Sequence, residues 1–160
     1  MINAEPTLRI LRVGEERADD LAALHRHAFA DAWDETAMRA LLAHPGARAL
    51  LAEREQQAIG FTFGRVAADE AEVLTLAVSP GHRRRGVGRA LVRSLLKAMR
   101  GEGVVRVFLE VGALNAAAPA IYRGLGFVAV GRRPDYYHRA GAMSEDAVVM
   151  ARSLAPPIVI

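Results

Sequence analysis

The chain contains 160 residues, with 21 lysines and arginines against 18 acidic residues, a formal net charge of +3 and a pI of about 9.9. This length predicts a single domain with a sizeable core. The lack of cysteine excludes disulfides, thiol catalysis and cysteine zinc sites, and without a secretory signal or a membrane-length apolar run we expect a cytoplasmic protein with no membrane partner.

Hydrophobic periodicity and turn residues divide the chain into predicted elements. In chain order they are a strand at 8–13, helices at 18–29 and 35–44, strands at 48–53, 58–66 and 71–79, a helix over 87–99, a strand at 104–111, a helix at 115–123, and strands at 127–130 and 146–151. This order predicts an α/β fold with a mixed central sheet flanked by helices, in one domain over 1–155. The apolar residues 156–160 are expected to form a peripheral tail.

A basic turn between the predicted strand at 71–79 and the following helix indicates an anion site. Gly86 and Gly88 let the backbone approach a ligand closely, and the first amides of the helix point toward any anion placed there. Arg83, Arg84 and Arg85 add guanidinium charge suited to phosphate. The turn lacks the Lys-Ser/Thr of a P-loop and the third glycine of a dinucleotide fingerprint, so a different diphosphate cofactor is expected.

The remaining arginine excess permits a diffuse attraction to RNA. No aromatic residues interleave the basic run as a stacking platform for single strands requires, so no specific nucleic acid partner is predicted. The histidines form no metal site, because His25 and His27 are two positions apart on a helix and face different directions. His82, in the basic turn, is interpreted as a solvated residue.

Two side chains are candidates for chemistry. Glu110 is the single carboxylate at the end of an apolar strand, and ligands of open α/β sheets bind at such edges, although a salt-bridged or solvated glutamate fits equally well. Tyr122, on the next helix, carries a phenol that could serve a departing thiolate, although packing under a sheet is the commoner role of such a residue.

Several motifs in the right order carry a resemblance that covers nearly the whole chain. They are Ala-Val-x-Pro before the basic turn, Arg-x-x-Gly-x-Gly within it, Leu109-Glu-Val, Asn115-Ala-Ala-Ala, Tyr-x-x-Leu-Gly-Phe127, Arg132-Arg-x-x-Tyr-Tyr137, Glu145-Asp-Ala-Val-Val-Met150 and His27-Ala-Phe-x-x-x-Trp33. Together they resemble the RimI-type N-terminal acetyltransferases of the GNAT superfamily. The resemblance implies a GNAT fold that uses acetyl-CoA and no metal to acetylate the N-terminal alanine of a ribosomal protein.

The resemblance also implies roles for residues at matching positions. Glu110 would be the general base, and Tyr122 the general acid toward the coenzyme A thiolate. Cofactor contacts would come from Leu76, Ala77 and Val78, from Arg83, Arg84, Arg85, Gly86, Val87 and Gly88, and from Asn115. Trp33 and two tyrosines on the loop before the last strand, Tyr136 and Tyr137, would wall the peptide channel, as rigid aromatic side chains can.

The sequence departs from this family at Gly112, Leu114 and Pro119. These positions bear on acceptor choice, so acetylation of a small amine or a lysine side chain stays open as a second function. A non-catalytic module that senses coenzyme A or associates with RNA is a third. If the chain is an enzyme, the acceptor amine is expected to attack the thioester directly in a ternary complex, because no cysteine can carry the acyl group.

Overall fold

The computed structural model describes residues 6–113, 117–137 and 144–155. In chain order its strands and helices are β1 (Arg9–Val13), α1 (Ala18–Ala28), α2 (Glu35–Ala43), β2 (Ala47–Arg54), β3 (Gln57–Ala67), β4 (Glu70–Val78), α3 (Val87–Gly101), β5 (Arg106–Gly112), α4 (Ala117–Gly124), β6 (Val128–Tyr137) and β7 (Glu145–Ser153). Short 3-10 turns precede α1 and follow β4.

The strands form one mixed sheet in the order β1-β2-β3-β4-β5-β7-β6. Neighbouring strands in the described residues pair antiparallel except β4 and β5, which pair parallel and are joined by the crossover helix α3. Two parallel strands joined in sequence need such a crossover, because the chain must return to the same end of the sheet before the second strand begins. The predicted mixed α/β sheet flanked by helices is confirmed.

Each face of the sheet has its own core. α3 and α4 cover one face, where the α3 residues Leu91, Leu95 and Met99 are fully buried. α1 and α2 cover the other face, where Met38 packs with Phe61 of β3. Burial of each such side chain contributes about 1.5–3 kcal/mol, so both helical layers are held mainly by apolar packing.

A β-bulge in β4 opens the sheet in its centre. The pairing with β3 skips Leu74, so Val73 belongs to the α3-side core whereas Ala77 belongs to the α1-side core. Bulges bend a strand and increase its twist. Within the described residues β4 and β5 pair over Glu70–Val73 and Arg106–Leu109, and both strands then continue without pairing to each other. We call the gap between Leu74–Val78 and Glu110–Gly112 the β4–β5 cleft.

The structure corrects the sequence prediction at the C-terminal end. Tyr136 and Tyr137 lie in β6, and not on a loop before the last strand. The turn-like residues Gly131, Pro134 and Asp135 suggested a strand that ends at Val130, but β6 follows β7 through two register shifts. Pairing with a long neighbouring strand therefore outweighs local turn preference here.

Two other boundaries also differ from the prediction. β5 runs from Arg106 to Gly112, so Glu110 is not its last residue. The described part of α4 begins at Ala117, which puts Pro119 in the first turn, where a proline is tolerated. Asn115 and Leu114, together with the predicted tail at 156–160, lie outside the described residues.

Candidate active site

The basic turn forms a backbone concavity at the end of β4. Arg84 and Gly86 both adopt left-handed backbone conformations, with φ of 62° and 76°. Alternation of this kind turns successive amides toward one side and makes an anion-binding nest, next to the N-terminus of the 15-residue helix α3. Only glycine adopts this conformation without strain, which accounts for Gly86. The backbone of the turn and of the helix end therefore favours an anion.

Packing ties this turn to the strand before it. The Arg83 side chain donates from Nε to the carbonyl oxygen of Val78 at 3.0 Å. A Cβ at Gly88 would lie 3.4 Å from Leu76 Cδ2 and 3.6 Å from Val78 Cγ2, so α3 approaches β4 closely. The anion site thus opens directly onto the edge of the β4–β5 cleft, where Leu76, Ala77 and Val78 are located.

Glu110 is the first residue of β5 beyond the segment paired with β4. It alternates with Leu109 and Val111, which belong to the α3-side core, so its side chain lies on the opposite face, toward α1 and α2. Its Oε1 is 3.0 Å from Arg133 Nε, and the Glu110 side chain is 16% exposed against 57% for Arg133. The ion pair fixes a largely buried carboxylate at the mouth of the cleft.

Tyr122 approaches the sheet from the other face. It is 5% exposed, belongs to the α3-side core and packs edge-on against Phe127, with ring centroids 5.7 Å apart. Burial raises the pKa of Tyr122 to about 12, because the phenolate would lose its hydration. Glu110 and Tyr122 are therefore on opposite faces of the sheet, and Tyr122 holds its proton at neutral pH.

The face that carries Glu110 also carries a hydrophobic cavity of about 430 Å³. Its lining joins α2 to β3 and β4 and consists of Trp33, Ala37, Ala40, Leu41, His44, Phe63, Arg65 and Leu74. A second groove of about 480 Å³ continues over the sheet past Glu72, Phe108, Glu110 and Arg133, and it shares Arg65 with the first. Both hollows therefore lie beside the face of the sheet that carries Glu110.

His25 holds the segment between α1 and α2, a role that sequence reasoning missed. It is 4% exposed and stacks on both Phe29 and Trp33, each with ring centroids 4.5 Å away. Its Nδ1 accepts a hydrogen bond from the Trp33 backbone N–H at 3.0 Å, and burial lowers its pKa, so the ring is neutral. The spacing His-x-x-x-Phe-x-x-x-Trp is the sequence feature from which this stacking could have been predicted.

The β6–β7 side of the groove is aromatic and charged. Arg133 lies over the ring of Tyr136, 5.3 Å from its centroid, and Tyr136 is half exposed. Tyr137 pairs through its backbone with Glu145, and its side chain lies outside the described residues. A Cβ at Gly112 would lie 2.6 Å from Glu145 Oε1, so the glycine makes room for a buried carboxylate.

The described residues contain no group of three or more metal-ligating side chains placed to hold an ion. No described helix has the length and apolar character needed to cross a membrane.

The site thus combines a parallel strand pair that parts beside the N-terminus of α3 with a carboxylate on one face of the sheet and a phenol on the other. A model of the acetyltransferase (GNAT) family matches residues 18–127. The chain belongs to the GNAT family and is an acetyl-CoA-dependent N-acetyltransferase.

Individual relatives agree with this assignment. The [ribosomal protein bS18]-alanine N-acetyltransferase of Escherichia coli K12 is 36% identical over 140 residues, which cover 85% of this chain and 92% of that protein. The crystal structure of the ribosomal-protein-S18-alanine N-acetyltransferase from Escherichia coli superimposes with a TM-score of 0.87 at 28% identity, over 94% of this chain and 96% of the other.

Two other proteins extend the comparison. The N-alpha-acetyltransferase RimI of Mycobacterium tuberculosis is 40% identical over 131 residues, 79% of each chain. The crystal structure of Arabidopsis thaliana NAA60 in complex with acetyl-CoA shares the fold, with a TM-score of 0.80 at 20% identity over 92% of this chain and 99% of that chain.

Proposed function

We propose that this protein transfers the acetyl group of acetyl-CoA to the free α-amino group of a protein N-terminus, with the N-terminal alanine of a ribosomal protein as acceptor. The observation that carries the proposal is the position of Glu110, directly beyond the last β4–β5 pair and in the lining of a groove on the sheet. The names of the Escherichia coli and Mycobacterium tuberculosis relatives support an N-terminal amine as acceptor. We assign the reaction to the cytoplasm and the catalytic domain to residues 1–155.

The cofactor contacts follow from the cleft. The pyrophosphate would bind the nest from Arg83 through Gly88, where helix amides and guanidinium groups favour anions. The pantetheine arm would run along Leu76, Ala77 and Val78, whose backbone faces the cleft on the side left unpaired by β5. Asn115, assigned to the cofactor by family resemblance, stays a prediction.

Glu110 would act as the general base. An α-ammonium has a pKa of about 8, so a substantial fraction is deprotonated near neutral pH and the base needs to accept a proton from only a modestly basic group. The neutral amine attacks the thioester carbonyl, the C–N bond forms, and the proton released from nitrogen passes to Glu110 directly or through water. Arg133 would hold the carboxylate in position for that transfer.

Tyr122 would act on the leaving sulfur. A thiol has a pKa of about 8.5, so complete proton transfer from a phenol of pKa about 12 would be uphill by roughly 5 kcal/mol. A hydrogen bond donated to the developing thiolate requires no such transfer. We therefore assign Tyr122 the stabilisation of coenzyme A as it leaves as a thiolate when the C–S bond breaks; the thiolate is protonated afterwards by solvent water.

The acceptor peptide would lie along the Glu110 face. Trp33 contributes to the cavity beside α2, and Tyr136 stands at the other end of the groove with Arg133. Tyr137 is assigned to the same wall by family resemblance. Rigid aromatic side chains supply apolar contact with a polar edge, which suits a short peptide end.

The proposal is tested with Glu110→Gln, which keeps the shape of the side chain and removes the base. With an alanine-starting peptide as acceptor, kcat should fall about 100-fold or more, in line with the usual contribution of a general base. Glu72→Gln is the matched control, because Glu72 lines the same groove on the neighbouring strand and should leave kcat nearly unchanged.

The choice of acceptor is tested in parallel. Thiol release from acetyl-CoA is compared for the alanine-starting peptide, the same peptide with a blocked N-terminus and an internal lysine, a polyamine and an aminoglycoside. We expect turnover with the free N-terminus and none with the blocked peptide. Faster turnover of a small amine or of lysine would refute the assigned acceptor, and full activity of Glu110→Gln would refute the assigned base.

A further inference from the structure

One segment of this protein carries an uncompensated excess of positive charge. Residues 80–101 contain seven of the 21 lysines and arginines and no acidic residue. The rest of the chain holds 14 basic residues against all 18 acidic ones and is therefore net negative. The net charge of +3 thus arises entirely from the basic turn and helix α3.

Three of these cations form a stripe along α3, which we call the α3 stripe: Arg93, Lys97 and Arg100. All three are exposed, and their spacing of four and three positions puts them on one side of the helix. Within the described residues, the side chains of these three make no ion pair or hydrogen bond. By contrast Arg89, one turn earlier, donates to the Gly124 carbonyl at 3.2 Å.

Cofactor binding does not account for the α3 stripe. The proposed pyrophosphate site is at the N-terminus of α3, which begins at Val87. At about 1.5 Å per residue, Arg93 is roughly 9 Å along the helix from that end and Arg100 roughly 20 Å. The effect of a helix terminus on an anion is lost beyond the first turn, so an anion bound at the N-terminus of α3 does not account for the α3 stripe.

We propose that the α3 stripe binds the phosphate backbone of RNA. The apolar side chains of α3 are buried in the core, and the residues flanking the stripe are the small Ala90, Ser94 and Ala98. A membrane-surface helix needs exposed apolar residues for insertion, and the buried core of a protein interface is depleted of charged residues. Phosphate binding requires positive charge alone, so the stripe complements RNA and reads no sequence.

The test measures affinity for a short RNA duplex of arbitrary sequence by fluorescence anisotropy, with saturating coenzyme A present. Wild type should bind at low salt, with affinity falling steeply between about 50 mM and about 200 mM salt. Arg93→Gln/Lys97→Gln should bind about tenfold more weakly or worse and lower the slope of log affinity against log salt by about two. Its acetylation of a free alanine-starting peptide should equal that of wild type, which separates this proposal from the proposed function.

Arg9→Gln/Arg26→Gln is the matched control. It changes the net charge equally at two exposed residues of β1 and α1, away from α3, and should bind RNA like wild type. The proposal is overturned if the control loses as much affinity as the α3 variant, if the α3 variant binds like wild type, or if coenzyme A abolishes binding. Binding of anionic vesicles or polyglutamate in place of RNA would also overturn it, in favour of a membrane or an acidic protein.

Discussion

Replacement of Tyr122 by phenylalanine tests directly whether the Tyr122 hydroxyl stabilises the departing thiolate. The change removes the hydroxyl and keeps the ring that packs edge-on against Phe127. A hydrogen bond to a charged group contributes about 1.5–3 kcal/mol, which corresponds to a loss of roughly 10-fold to 150-fold in the rate of thiolate departure. Because the phenol is buried in the α3-side core and not in the peptide groove, KM for the peptide should change little.

Stability against pH gives an independent check on the burial of the same hydroxyl. The pKa of Tyr122 is raised from about 10 in the unfolded chain to about 12 in the folded protein. The stability that this difference contributes is complete below pH 10 and is lost as pH rises through 12, by about 3 kcal/mol in total. Urea unfolding at pH 9 and near pH 11 should therefore show a steeper alkaline loss for wild type than for Tyr122→Phe.

The assay for the first effect is single-turnover release of coenzyme A thiol with saturating peptide, which isolates chemistry from product release. A wild-type rate in Tyr122→Phe would refute the role assigned to the hydroxyl and leave Tyr122 as a packing residue. An equal loss of alkaline stability in both proteins would refute the burial argument, independently of the kinetic result.

Two further predictions concern the residues that position the site. In steady-state assays, Arg133→Gln should lower kcat for the peptide roughly tenfold, because Glu110 loses its ion pair, while KM for acetyl-CoA stays unchanged. Arg133→Lys should be intermediate, because lysine keeps the charge without the planar guanidinium. Equal activity of wild type and both variants would contradict the positioning role. Gly60→Ala puts a Cβ 2.9 Å from the Ala77 carbonyl oxygen, so urea unfolding should show a loss of about 1–3 kcal/mol and KM for acetyl-CoA should rise. Gly131→Ala, whose Cβ meets Val149 at an ordinary 3.8 Å, is its control, and equal effects of the two would disprove the crowding argument.

Most of the helices and central strands could be predicted from local patterns. The apolar spacing of α3 and the glycines after it suffice to delimit the helix, and the basic turn before it is recognisable from its glycines and arginines alone. Where prediction was wrong, a distant partner was decisive. β6 continues past Pro134 and Asp135 because β7 offers it a pairing edge, which no window of sequence around those residues contains.

The candidate site, too, was predictable from the sequence only in part. Glu110 and Tyr122 could be singled out as chemical groups, but their placement on opposite faces of the sheet depends on the strand register and on the packing of α4. A salt-bridged Glu110 was one of the two interpretations of the sequence, but its partner Arg133 was not identified. The stacking of His25 on Trp33 was not predicted. Gly112 was noted as a departure from the family, and the structure supplies its reason in the carboxylate of Glu145.

The sequence by itself determined the element order, the basic glycine-containing turn and the absence of a thiol nucleophile, because periodicity, backbone freedom and side-chain chemistry are properties of short segments. Tertiary structure decided where the sheet opens and which groups face the opening. The bulge at Leu74 ends the pairing of β4 with β5, and burial then sets the high pKa of Tyr122. Both effects depend on contacts between residues far apart in the chain, since register and desolvation exist only once the strands and helices have packed.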